Sequence, residues 1–167
     1  MRIGLVSDTH GYLHPELTKM LAGCDAILHA GDVGAGPDGM AILDALEAVA
    51  PVYAVWGNID DAAMRRRVSE WQDVTLGGVR FVMVHIGGRP GRWASGVGPR
   101  LSADPPAVFV AGHSHILQVE RVASLGRMLF VNPGAAGRQG FHRVKTCVRL
   151  VLEGGKAVQA EAVHLDE

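Results

Sequence analysis

Five short segments stand in one order along this 167-residue chain: Asp8-Thr9-His10, Gly31-Asp32, Gly57-Asn58-Ile59-Asp60, His85 and Gly112-His113-Ser114-His115. Between them they offer Asp8, His10, Asp32, Asn58, His85, His113 and His115, a mixture of carboxylate, imidazole and amide donors. Such a set suits borderline divalent metals better than an oxygen-only calcium cage or a thiolate site would. Hydrolysis on two cations asks for centres roughly 3.5–4 Å apart. One carboxylate must then bridge them, with about three further ligands on each side. Seven donors with one shared meet that demand.

The segments need elements to carry them, and each follows an apolar run. Asp8 and His10 follow Ile3-Gly4-Leu5-Val6, where residues two apart share a face. Asp32 closes the run from Ala26 and Asn58 the run from Val52, each with a glycine just before it that admits a tight turn. His85 ends Val79–Val84, and Gly112-His113-Ser114-His115 follows Val108-Phe109-Val110-Ala111. Polar residues at successive strand ends describe one crevice, where open α/β sheets place their sites. Taken singly each segment is weak; the order of all of them carries the reading.

With that order on the page, the sequence resembles the calcineurin-like metallophosphoesterase superfamily, whose signature is D-x-H, G-D, G-N-H-[DE], a later histidine and G-H-x-H. The resemblance spans nearly the whole chain. With Asn132-Pro133-Gly134-Ala135 and the short length, it is similar to the small bacterial and archaeal phosphodiesterase branch. It implies one metal on Asp8, His10, Asp32 and His115 and a second on Asp32, Asn58, His85 and His113. It also implies an α/β fold, a four-layer α/β/β/α sandwich of two packed mixed sheets flanked by helices. Ile59 stands where many members carry the histidine of G-N-H-[DE]. General acid catalysis contributes about 10²–10⁴-fold, so modest rates and good leaving groups are expected.

The activity expected is that of a phosphodiesterase: two divalent metals lower the pKa of a bridging water, and the resulting hydroxide attacks phosphorus in line. Manganese is the first choice, with iron, zinc, cobalt or nickel open. Asn58, His85 and His113 are the ligands placed to touch substrate as well. Asp60 reads either as a group orienting a ligand imidazole or as the N-cap of a helix beginning near Asp61. His142, beside Arg138 and Arg143, is the residue to fill the vacant acid role; His29 reads as a core histidine, His14 as a surface helix start and His164 as a tail residue.

Periodicity predicts strands at 2–7, 26–31 and 52–56 alternating with helices near 14–23, 38–49 and 61–70. Hairpins follow, with Gly77-Gly78 joining 73–76 to 79–84, Leu125-Gly126 joining 118–123 to 128–131, and Glu153-Gly154-Gly155 joining 146–152 to 156–163. A single domain, 1–167, is expected. Between 87 and 100 a loop or short helix brings Arg89, Arg92, Arg100 and Trp93 either toward a phosphodiester and a base or into a solvated loop with one anchoring tryptophan. Arg65-Arg66-Arg67 reads as a solvated helix face, and Gly34–Gly39 as a turn near Asp32, without the G-K-[ST] ending of a phosphate loop.

A formal charge of −1 provides no basic field, so a small-molecule phosphodiester is favoured over nucleic acid. A nuclease would need the arginines at 65–67 and 89–100 to share one groove. A binding scaffold with a vestigial metal pocket, as in the related retromer subunit, would have no need of all seven donors. No run approaches the ~20 apolar residues of a membrane helix and the chain begins on a core strand, so the expected place is the cytoplasm. Cys24 and Cys147 are expected to be reduced packing residues, and edge strands leave homo-oligomers open.

Overall fold

The computed structural model describes residues 1–165. The first half runs β1 (Arg2–Val6), α1 (Leu17–Met20), β2 (Ala26–His29), α2 (Gly36–Glu47), β3 (Val52–Ala54) and α3 (Ala62–Arg67). Then come β4 (Trp71–Leu76), β5 (Val79–Val84), the two-residue strands β6 (Gly88–Arg89) and β7 (Arg92–Trp93), and α4 (Val97–Ala103). The chain finishes with β8 (Val108–Val110), β9 (Leu117–Val122), β10 (Met128–Pro133), β11 (Thr146–Glu153) and β12 (Lys156–His164).

One five-stranded sheet has the order β12-β11-β1-β2-β3, the other β4-β5-β8-β10-β9. In the first, β1, β2 and β3 are mutually parallel, and β11 runs antiparallel to β1. In the second, β5, β8 and β10 are parallel, with antiparallel partners β4 and β9 at the edges. Parallel neighbours need crossovers, which α1, α2 and α4 provide on the outer faces for β1–β2, β2–β3 and β5–β8, while the chain between β8 and β10 passes through the edge strand β9. Because every parallel strand also points its C-terminus the same way, the loops that follow them gather at one end of the molecule.

Alternation along each strand sorts side chains into layers. Ile3, Leu5, Leu28 and Leu150 of the first sheet meet Phe81, Met83, Val110 and Val131 of the second in the central core. Val6 and Ile27 point outward to Leu17, Leu21, Leu43 and Leu46 of the first helical layer. Val82, Phe109 and Phe130 point outward beneath Val97 and Leu101 of α4. Helix, sheet, sheet, helix is the expected four-layer sandwich. Burying a large apolar side chain stabilises by about 1.5–3 kcal/mol, which makes Phe81, Phe109 and Phe130, all fully buried, major contributors.

Several boundaries differ from expectation. Only Leu17–Met20 of the helix expected at 14–23 is helical, because turns at Gly23 and before Leu17 seat Leu17 and Leu21 without a longer helix. His14 is buried against Tyr12 rather than exposed. His164 is no tail residue: it lies in β12, opposite Thr146. The segment 87–100 holds a two-residue hairpin and the start of a helix. Cys24 and Cys147 are buried free thiols, the latter pushed up to about 12 by burial. Among the described residues no helix is long and apolar enough to cross a membrane.

Candidate metal centre

The seven predicted donors come together at the C-terminal end of both sheets. Five of them sit in left-handed backbone: Asp8 at φ 55°, His10 at 49°, Asp32 at 50°, His113 at 68° and His115 at 58°. That conformation costs an L-residue on the order of 1 kcal/mol or more, and such strain gathers at functional sites. It is held by ladder bonds that continue past the strands, with Asp8 N–H donating to Gly31 O and His10 N–H to Asp32 O, both at 3.0 Å. Gly57 and Gly31 make the close approach, since a methyl at Gly57 would overlap Asp32 Oδ1 and one at Gly31 would strike the His85 ring.

Two clusters of ligand atoms result, Asp8, His10 and His115 in one, Asp32, His85 and His113 in the other, each with its atoms within 4.8 Å of one another. Asp32 joins them: its Oδ2 is 3.6 Å from His10 Nε2 and 3.3 Å from His85 Nε2. Asp8 Oδ1 lies 3.2 Å from His115 Nε2 and 3.8 Å from His10 Nε2. Asn58 Oδ1 stands 3.1 Å from His85 Nε2, which adds the amide to the second cluster.

The surrounding hydrogen bonds leave the remaining donor atoms open. Ser7 Oγ and His113 N–H both donate to Asp8 Oδ2, at 2.6 and 3.1 Å, so Oδ1 is the oxygen left over. Ile59 N–H donates to Asp32 Oδ1, leaving Oδ2 between the clusters. His85 Nδ1 lies 2.7 Å from Ala30 O, which assigns the proton to Nδ1 and turns the Nε2 lone pair toward Asn58 Oδ1. Asp8 Oδ1 and His10 Nε2 are buried with no hydrogen-bond partner among the described residues. Orphaned buried acceptors are costly, and lone pairs facing one another are the arrangement a cation relieves. The residues therefore fit divalent metal.

Electrostatics agree. Burial works against ionising Asp8, yet the His10 and His115 rings beside it hold its carboxyl far below the usual carboxylate range. Burial also opposes the charge on Asp32, but the His85 ring and the Ile59 N–H pull it down. Burial resists a proton on His85 and is outweighed by Asp32 and Asp8, so the ring shifts up. His115 is raised by the Asp8 carboxylate beside it. The same facing of carboxylate and imidazole that shifts these groups is what a divalent cation would use, since metal competes with protons for such ligands.

Other predicted residues have different duties. Asp60 touches no ligand imidazole and is not a cap. Its carboxylate accepts N–H bonds from Val33, Gly34 and Gly57, at 3.2, 2.8 and 2.7 Å, clamping the Asp32 loop to the Asn58 loop. The cap of α3 is Asp61, which accepts from Met64 N–H. His29 is a core histidine as expected, its Nε2 3.0 Å from Thr9 Oγ1. His142 packs edge-on against His115 at 5.1 Å and its Nε2 donates to Gly137 O, so it buttresses the first cluster and keeps only Nδ1 uncommitted. Asn132 donates to Gly112 O and Ser114 Oγ, bracing the His113–His115 turn. The Gly34–Gly39 segment lines no part of the cleft; Gly34 packs tightly on Gly39 and Gly11 at the start of α2.

A cleft adjoins the second cluster, walled by Asn58 and His85 together with Trp56, Trp71, Arg65 and Arg100. Trp93 is not among its walls. It anchors the outer core on Phe109 and Phe130, with ring centroids 5.7 and 5.6 Å apart. Arg89 and Arg92 also stay outside the cleft, in the short hairpin. Arg65, Arg66 and Arg67 are exposed, the solvated helix face expected of them, with Arg65 also lying over Trp56 on the cleft wall and Arg67 engaged by Asp44 and Glu47. The two tryptophans that do face the site carried no motif, and only α3 meeting β4 and α4 across the sheets brings them there.

A family model described as calcineurin-like phosphoesterase superfamily domain matches residues 1–155. A "probable metallophosphoesterase" of Methanocaldococcus jannaschii is 31% identical over 141 residues, 81% of this chain and 68% of that protein. Another, of Methanothermobacter thermautotrophicus, is 31% identical over 144 residues, 81% of this chain and 77% of that protein. Among solved structures, an archaeal phosphodiesterase superposes with a TM-score of 0.75 at 20% identity, over 98% of this chain and 99% of its own. Chaetomium thermophilum Vps29 gives 0.73 at 19%, over 98% and 97%. The structural likenesses establish the fold; the family model goes further, since its span of residues 1–155 takes in the strand ends from Asp8 to His115 where the candidate ligands collect. On those matches the chain belongs to the calcineurin-like phosphoesterase superfamily, whose members use divalent metals.

Proposed function

We propose that this protein is a metal-dependent phosphodiesterase acting on small-molecule phosphodiesters with two divalent cations. The observation that carries the reading is Asp32, whose Oδ2 faces a histidine of each cluster and so can serve both ions. Manganese is the ion assigned first, and the mixed donor set also accepts iron, zinc, cobalt and nickel. When bound, the cations lower the pKa of water and neutralise charge on the phosphate oxygens. Asn58 and His113, both exposed, are the ligands that meet substrate, with His85 fixed behind them by Ala30 O. Ile59 provides no proton for the leaving group, so good leaving groups are favoured. The archaeal phosphodiesterase of the same fold supports the diester reading. The unpaired thiols of Cys24 and Cys147 suit a reducing cytoplasm.

A second reading, a binding scaffold, draws on the Vps29 neighbours and on exposed apolar side chains at the rim. Ile59, Ile86 and Ile116 are 39%, 45% and 65% exposed. The deciding measurement is hydrolysis of bis(p-nitrophenyl) phosphate by metal-stripped protein with manganese returned. We expect manganese-dependent turnover that falls by on the order of 10²–10³-fold in Asp32→Ala and Asn58→Ala. Folded protein with no turnover in any divalent metal would reject the enzyme and favour the scaffold.

A further inference from the structure

The cleft beside the second cluster has a volume of about 430 Å³, within the ~300–1,000 Å³ of small-molecule sites. Asn58 and His85 belong both to the metal centre and to the cleft wall, so the two are continuous. A phosphate held by these residues through bound metal would have room for one substituent in the cleft. The walls say what that substituent is. Val84, Ile86 and Val97 provide apolar surface. Arg65 lies over the Trp56 ring at 4.3 Å and Arg100 over Trp71 at 4.7 Å. A guanidinium resting on an indole is flat, cationic and already ordered, and it stacks on a further ring at little entropic cost.

We infer that the cleft holds a planar aromatic substituent of the phosphodiester, of phenyl to nucleoside size, stacked against the Arg100–Trp71 and Arg65–Trp56 pairs. The inference rests on the phosphodiesterase reading and narrows its substrate class to diesters of aromatic or base-bearing alcohols. Charge agrees, because Arg65 and Arg100 outnumber Glu70 around an anionic substrate. A nucleic-acid strand is less well served. Arg67 is held by Asp44 and Glu47, and Arg89 and Arg92 stand outside the cleft, so Arg65 and Arg100 are the arginines that line it.

Calorimetric titration of the manganese-loaded 167-residue chain with phenyl phosphate and methyl phosphate tests this. Wild type should bind phenyl phosphate about tenfold or more tightly than methyl phosphate. Arg100→Ala should bring the two within about twofold, and Arg100→Lys should not restore the preference, because it returns charge without a plane. Ser95→Trp, which places bulk on the exposed cleft wall, should remove the preference independently of Arg100. Equal binding by wild type, a preference kept by the variants, or full rescue by lysine would overturn the aromatic site while leaving the metal centre standing. Protein that takes up neither manganese nor any other divalent metal would overturn the phosphodiesterase reading and this inference with it.

Discussion

The two ends of the paired sheets both need left-handed backbone, and they fill it differently. At the hairpin end the positions are Gly77, Gly78, Gly126, Gly154 and Gly155, with Arg127 the exception. At the ligand end they include Asp8, His10, Asp32, His113 and His115. Glycine occupies left-handed backbone without penalty, so it serves where only a change of direction is required. Where a ligand atom must emerge from the turn, the side chain is kept and the strain is carried by the surrounding ladder. Five of the buried carboxylates and imidazoles, Asp8, His29, Asp32, Asp60 and His85, belong to that same end. Stability is given up there for chemistry.

The largest effect predicted from this contrast concerns His29. Burial pushes its pKa down from 6.5 to about 4, and nearby Asp8 only partly offsets that. The folded ring is neutral, whereas the unfolded chain takes up a proton below about pH 6.5. Stability from this residue is therefore complete above that pH and is lost as pH falls toward 4, by about 3 kcal/mol in all. Urea unfolding of metal-free protein at pH 7 and 4.5 should show a drop about 2–3 kcal/mol smaller in His29→Gln than in wild type. Parallel drops would refute it.

A smaller effect is expected from Ser7, fully buried and donating to Asp8 Oδ2 at 2.6 Å. Removing such an orienting bond in Ser7→Ala should weaken manganese binding by about 10–100-fold. Unchanged affinity by calorimetry would show that Asp8 needs no such support.

The smallest effects sharpen the comparison most directly. His113→Gly relieves a left-handed residue that is exposed, so the metal-free protein should gain about 1 kcal/mol while holding manganese less well. Gly154→Ala, at φ 55° with open space around it, should lose about 1 kcal/mol with manganese binding unaltered. Unfolding midpoints that move in the same direction would end the distinction between the two ends.

Much of the site was legible because ligand chemistry resides in side-chain type and strand ends are marked by local apolar runs. The strand at 79–84 and the ligand order needed nothing further. Asp60 was misread because its three N–H partners lie at Val33, Gly34 and Gly57, so its role exists only where two loops meet. Trp93 and Trp71 show the same limit: composition cannot say which tryptophan packs on Phe109 and Phe130 and which also lines the cleft.

Seven candidate donors, their order and the strands that deliver them could be read along the chain, since alternation and turn residues act within a few positions of it. Tertiary structure decided that Asp32 stands between the two clusters, that Arg65 and Arg100 meet at one cleft, and that His142 braces His115. Those outcomes depend on the register of two sheets and on helices packed over their outer faces, contacts between residues far apart along the chain.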